Sequence, residues 1–209
     1  MFPLGSVLFP YMPLPLRVFE ERYLVMLSKI LQDEPSEFGV VLIERGQEVG
    51  GGEQRFAVGT VAQVTELEAA EGFIGLLAQG ERRFEVLEWL EEDPYPHARI
   101  RELEPLEWTD DLEPLRERAE RDVRRFLALA SEFSDQQWSA SVELSTSPIA
   151  SSWQLAGIAP ISEIDQVNLL RSTSVKELLE SVIDLTAGAE ASFRASWPEE
   201  PDGDFEEEL

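Results

Sequence analysis

One histidine, no cysteine and only two lysines leave this chain of 209 residues little material for covalent or metal chemistry. His97 stands in Tyr95-Pro96-His97-Ala98-Arg99-Ile100, the start of an extended segment, and no nucleophile motif accompanies it. A general base needs such a partner within hydrogen-bond reach, so His97 reads as an edge or surface residue. Without thiolates or a second imidazole neither common class of zinc site can be built. No acidic run has calcium-loop spacing. Neither a metal nor a cofactor is expected. The paired acids Glu20-Glu21, Glu91-Glu92-Asp93 and Asp110-Asp111 are adjacent in sequence, whereas hydrolytic carboxylates converge from separate segments; these read as solvated faces.

Binding chemistry is better represented. Pro10, Pro13 and Pro15 rule a loop that carries Tyr11 and Met12. Proline removes backbone donors and fixes φ, so helix is forbidden until about Val18, and Tyr11 and Met12 are expected to point outward. Exposed apolar groups on a rigid loop suit polypeptide capture. Trp138, in a serine-rich polar stretch, is a third candidate. Trp108 and Trp153 are expected to fill a seam between two parts of the chain.

Charge narrows the ligand class. The net charge is −25, from 17 basic and 42 acidic residues, with 9 basic against 20 acidic in residues 1–108 alone. That field repels phosphate backbones. The basic run Arg116, Arg118, Arg121, Arg124 and Arg125 is diluted by Glu117, Glu120 and Asp122 and lacks interleaved aromatics, which makes it an ion-paired helix surface rather than a nucleic-acid stripe. No stretch reaches the roughly 20 apolar residues that span a bilayer, and the apolar start has no basic flank of a signal peptide. Neither a nucleic acid nor a membrane is expected as partner, and a cytoplasmic location fits the absence of cysteine.

The elements that must position these residues follow from periodicity. Val18, Phe19, Leu24, Val25, Leu27, Ile30 and Leu31 space an amphipathic helix closed by Pro35. Strand-like runs then cover Phe38 to Ile43, Arg55 to Leu67, Gly72 to Gln79, Arg82 to Leu90 and His97 to Leu103, parted by Gly50-Gly51-Gly52, Glu71-Gly72 and Asp93-Pro94. With the opening strand these make six, which hide their edges best as a closed or half-closed barrel. Gly59 and Gly80 are placed for a bulge or bend. Residues 1–108 are thus a β module. Residues 109–188 read as a bundle of about four helices: one from near Pro114, one over Ile149 to Ala156 stopping at Gly157, one after Ser162, and one after the capping box Ser174-Val175-Lys176-Glu177. Residues 189–209 carry 8 acids and one base and read as a disordered tail.

The opening Phe2-Pro3-Leu4, Phe9-Pro10 and Pro13-Leu14-Pro15-Leu16, followed by Val18-Phe19-Glu20 and Arg22-Tyr23, closely resembles the start of the N-terminal substrate-binding domain of Lon proteases. Val58-Gly59-Thr60-Val61-Ala62, Gly80-Glu81-Arg82-Arg83-Phe84-Glu85-Val86-Leu87 and Asp93-Pro94-Tyr95 follow in the right order, and Pro160-Ile161-Ser162 to Val182-Ile183-Asp184-Leu185 is similar to the family's closing pattern. The resemblance covers residues 1 to about 186. It implies an α+β fold, a PUA-like antiparallel barrel with one early helix followed by a helical bundle, that engages unfolded or tagged polypeptides for degradation. In its Gly80 to Leu87 hairpin, Arg83 or Arg82 is expected to brace the barrel through backbone carbonyls or an acid, with Phe84 beside them as part of the structural motif. Extended peptide is expected to pair with a barrel edge. The family's ATPase would carry Gly-x-x-x-x-Gly-Lys-Ser/Thr, and neither Lys29 nor Lys176 follows such a loop. The expectation is a non-enzymatic binding protein, an adaptor or regulator in proteolysis whose partners include a protease or chaperone. A PUA-like small-ligand or RNA-binding module is the alternative.

Overall fold

Six strands and five helices follow one another in a computed structural model that describes residues 1–32, 34–45 and 54–196. The strands are β1 (Phe2–Leu4), β2 (Pro13–Val18), β3 (Glu37–Arg45), β4 (Gln54–Ala70), β5 (Phe73–Trp89) and β6 (Ala98–Glu102). Helix α1 (Glu21–Ile30) sits between β2 and β3, and α2 (Glu113–Ser131), α3 (Pro148–Ile158), α4 (Glu163–Leu169) and α5 (Val175–Ala195) follow the sheet. The expected glycine loop at 50–52 lies outside the described residues, as do 197–209.

The sheet runs β1-β3-β4-β5-β2, with β6 on the far half of β5. β1 pairs parallel to β3, and the other neighbours are antiparallel. The expected closed barrel is not formed, since β1 and β2 each end the path with one strand neighbour. The prolines give a physical reason. Pro13 and Pro15 have no N–H to offer a further strand, and proline in a sheet is confined to such edges; β1, at three residues, is too short to offer much of a ladder.

Two expected strands are one. Residues 73–89 run through Gly80 without a break, because that glycine serves close approach: a Cβ there would overlap the Phe9 carbonyl oxygen. A register shift between Thr60 and Ala62, opposite Arg83 and Gly80, puts a bulge beside it. Gly59 plays a similar part, its missing Cβ leaving room for the Val40 carbonyl and the Phe84 ring. Gly72, at φ 85°, makes the tight reversal from β4 to β5. Helix α1 starts later than its apolar spacing predicts, since Val18 is spent pairing with Ile74 in the sheet.

The helices after the sheet share a core with it. Buried residues from Phe2 and Phe9 through Val58 and Leu76 to Trp153, Leu178 and Ile183 form one apolar cluster that joins sheet and helices. A small second cluster, Val41, Val61, Phe84 and Val86, lies apart from it. Local signals set the helix ends: Ser162 Oγ accepts from the Asp165 N–H, and Ser174 Oγ from the Glu177 N–H. The Glu177 carboxylate closes its box one residue early, accepting from the backbone and hydroxyl of Thr173, both at 2.7 Å. Helix α3 does not stop at Gly157 but runs to Ile158. Helix α5 continues to Ala195, so residues 189–195, expected to be part of a tail, are helical. Among the described residues no helix is long and apolar enough to cross a membrane.

Candidate functional site

Between β1 and β2 the chain crosses the molecule as a tethered loop. Phe9 is fully buried and Leu8 nearly so, and the buried hydroxyl of Thr60 donates to the Leu8 carbonyl at 2.6 Å. Tyr11 then takes φ 62°, a left-handed conformation that bulky residues seldom adopt. It is held there by its N–H to the Gly80 carbonyl at 2.7 Å and by Gln154 Nε2 donating to its carbonyl at 3.3 Å. This reversal separates two side chains expected to point outward together.

Tyr11 does face outward, at 37% exposure, while Met12 is buried at 6%. Met12 lies on Gly157 of α3, where a Cβ would stand 2.9 Å from its Cγ and Cε. The sheet edge needs helix cover at this point, and the flexible thioether fills the space that Gly157 leaves. Tyr11 instead lines a cleft of about 350 Å³ with Pro10, Arg82, Leu106, Ile149 and Trp153.

Arg83 borders the same cleft and is the fastener between sheet and helices. Only 5% exposed, it donates from Nη1 to the carbonyls of Leu170 and Ser172 and from Nη2 to that of Glu104, each at 2.7 Å. Its Cζ lies 4.9 Å from the Trp153 ring centre. Burial lowers its pKa from the ordinary arginine value, yet arginine keeps its charge in proteins. Arg82 points to the surface and forks onto Glu37 at 2.8 and 2.7 Å, with Glu102 at 2.6 Å; the Glu37 and then the Glu102 bonds raise its pKa. Neither guanidinium is free for a phosphate. Trp153 is 3% exposed, and its ring packs 6.1 Å from that of Phe9; Trp108 is half-buried against the same core.

A further opening follows the free edges of β1 and β2. One groove of about 220 Å³ is lined by Leu4, Met12, Pro15, Leu16, Trp138 and Gly157. A second, of about 170 Å³, shares Leu4, Pro15 and Leu16 and continues to Phe2, Phe19 and Tyr23. Both are bounded by β1 on one side and β2 on the other, so the gap that leaves the sheet open is lined largely by apolar residues. Phe19, at 55% exposure, stands at its end, and Phe2 stacks on Tyr23 beneath it at 4.1 Å. Met12 and Trp138 therefore meet at one groove and Tyr11 belongs to another cleft. Leu16 and Phe19 were not singled out by sequence reasoning as binding residues. The available signal was Phe19 itself, an aromatic between the last strand residue and the first helical turn, where neither period buries it.

His97 lies just before β6 with its ring 4.3 Å from that of Tyr95. Among the described residues no group of three or more His, Cys, Asp or Glu side chains is arranged to hold a metal ion.

A family model, the ATP-dependent protease La (LON) substrate-binding domain, matches residues 1–187. The chain belongs to this family. It is 38% identical over 111 residues to the Lon protease of Anaeromyxobacter dehalogenans (strain 2CP-C), covering 52% of this chain and 13% of that one. It is 23% identical over 185 residues to the Lon protease of Heliobacterium modesticaldum, covering 88% and 23% respectively. The chain thus spans less than a quarter of either protease. Among solved structures it is similar to the Lon N-terminal domain protein from Xanthomonas campestris, with a TM-score of 0.61 at 26% identity, covering 88% of this chain and 95% of that one. The N-terminal domain of the Mycobacterium avium complex Lon protease shares the fold at a TM-score of 0.59 and 18% identity, covering 88% and 96%. The Lon family match supports a substrate-binding role and concerns a domain that is not catalytic.

Proposed function

We propose that this chain holds non-native polypeptide segments in the apolar groove between β1 and β2, as a cytoplasmic, non-enzymatic adaptor or regulator for a protease or chaperone. One observation carries the reading: the opening at the free sheet edges is walled by Leu4, Leu16, Met12 and Trp138 and ends on the exposed ring of Phe19. Apolar residues of an unfolded client gain about 25 cal/mol for each Å² buried there, and folded proteins keep such residues inside, which gives selectivity for unfolded chains. Side-chain capture replaces the strand pairing expected from the sequence, because β2 presents prolines at its edge.

The RNA-binding alternative finds little support in the charge of −25 or in arginines already engaged with carbonyls and acids. A peptide array displaying overlapping segments of unfolded proteins tests the proposal. Enrichment of apolar segments that is lost in Phe19→Ser supports it, and no enrichment over an acidic control protein refutes it.

A further inference from the structure

Given that the groove holds polypeptide, we infer that it selects segments in which apolar residues are flanked by lysine or arginine. The first reason lies in the backbone of β2. The Gly80 N–H donates to the Met12 carbonyl at 2.9 Å. In an antiparallel ladder alternate residues face the partner strand, so Leu14, Leu16 and Val18, opposite Ala78, Leu76 and Ile74, bond to β5. Pro13, Pro15 and Arg17 then direct their carbonyls to the free edge. Two of these three have no N–H. The edge consequently offers acceptors almost without donors, a poor match for another strand and a good one for side chains that only donate. Lysine and arginine are those side chains.

Charge points the same way and is independent of the backbone. Ser6, Gln137 and Gln166 are the polar side chains of the larger groove, and none is cationic. In the smaller one Arg17 is the cation that lines it, with its Cζ 5.4 Å from the Phe73 ring centre, and Glu20, paired with Arg22 at 3.1 Å, lines it too; the acidity that acts on a client is therefore that of the chain as a whole. Residues 1–108 carry 20 acids against 9 bases within a chain of net charge −25. Such a field concentrates cationic segments near the groove and repels acidic ones. The groove thus suits chains that are apolar and basic together.

Three fluorescent peptides with one shared apolar core, flanked by lysines, serines or glutamates, test this by anisotropy on the whole chain at low and high salt. The lysine peptide is expected to bind about tenfold more tightly than the serine peptide, the glutamate peptide least, and the spread to shrink as salt shortens the Debye length. In Phe19→Ser all three should weaken by a common factor. Equal affinities for the three overturn the charge preference and leave the groove a polypeptide site; no binding by any of them overturns both. Lysine-peptide binding untouched by Phe19→Ser would place it on the acidic surface at large and overturn the inference as well.

Discussion

Met12 and Gly157 meet where the entry loop crosses α3, with the space of a missing Cβ filled by the Met12 thioether chain at 2.9 Å. The groove wall depends on that fit. Gly157→Ala gains up to about 1 kcal/mol of helix propensity but forces Met12 aside, at about 1–3 kcal/mol for overpacking. The expected net effect in urea titration is a loss, recovered in the double variant Met12→Ala/Gly157→Ala relative to the sum of the single changes, with a coupling of about 1 kcal/mol. Additive single effects would show that the two do not share a site.

Gly80 has no such soft neighbour. The atom in the way of an added Cβ is the Phe9 carbonyl oxygen, on backbone that is itself bonded on both sides of Gly80. Gly80→Ala should therefore cost about 3 kcal/mol or more and shift the amide resonances of Leu8 to Met12. Unaltered stability would mean the loop approaches less closely than described.

Arg83→Met keeps volume and removes the donors to Leu170, Ser172 and Glu104. Leaving buried carbonyls unpaired costs about 1–3 kcal/mol each in the worst case, so a loss of about 3 kcal/mol is expected, with faster amide exchange at the α4–α5 junction. Arg83→Lys, which cannot fork, should fall between. Equal stability of all three proteins would remove Arg83 from its role as fastener.

Much of this architecture is legible residue by residue. Ser162 and Ser174 announce their helices because capping is local, and Gly72 announces its reversal because only glycine takes φ 85° cheaply. The continuity of β5 through Gly80 is not legible, since that glycine answers to a carbonyl 71 positions earlier in the chain, that of Phe9. The open sheet is half legible: Pro13 and Pro15 forbid inner-strand duty, but which edge they guard depends on the strand order. Met12 and Tyr11 look equivalent until the φ of Tyr11 sends them to different sides. The apolar groove was hidden for a related reason, as Leu4 and Leu16 come together only when the sheet curls without closing.

Glu190 gives a pH test. Arg194, and then Arg125 of α2, hold its carboxyl below the usual glutamate value, with bonds of 2.9 and 3.0 Å. A carboxyl with a lowered native pKa stabilises the fold above its unfolded pKa, and that contribution disappears as pH falls through the native one. Glu190→Gln should be less stable than the parent at neutral pH, by a margin that closes in acid. A margin constant from neutral to acid pH would show that the pair does not tie α5 to α2.

The central claim is that the groove between β1 and β2, ending at Phe19, is the polypeptide site. The direct measurement is the affinity of one apolar peptide for the parent, Phe19→Ser and Tyr11→Ser, with thermal midpoints recorded for each. Removing a half-exposed ring that a client covers should cost about 1–2 kcal/mol, or about tenfold in Kd. The expected result is that loss in Phe19→Ser with little change in midpoint, and parental affinity in Tyr11→Ser. Parental affinity in Phe19→Ser, or a loss confined to Tyr11→Ser, would contradict the account and move the site to the cleft beside Arg83.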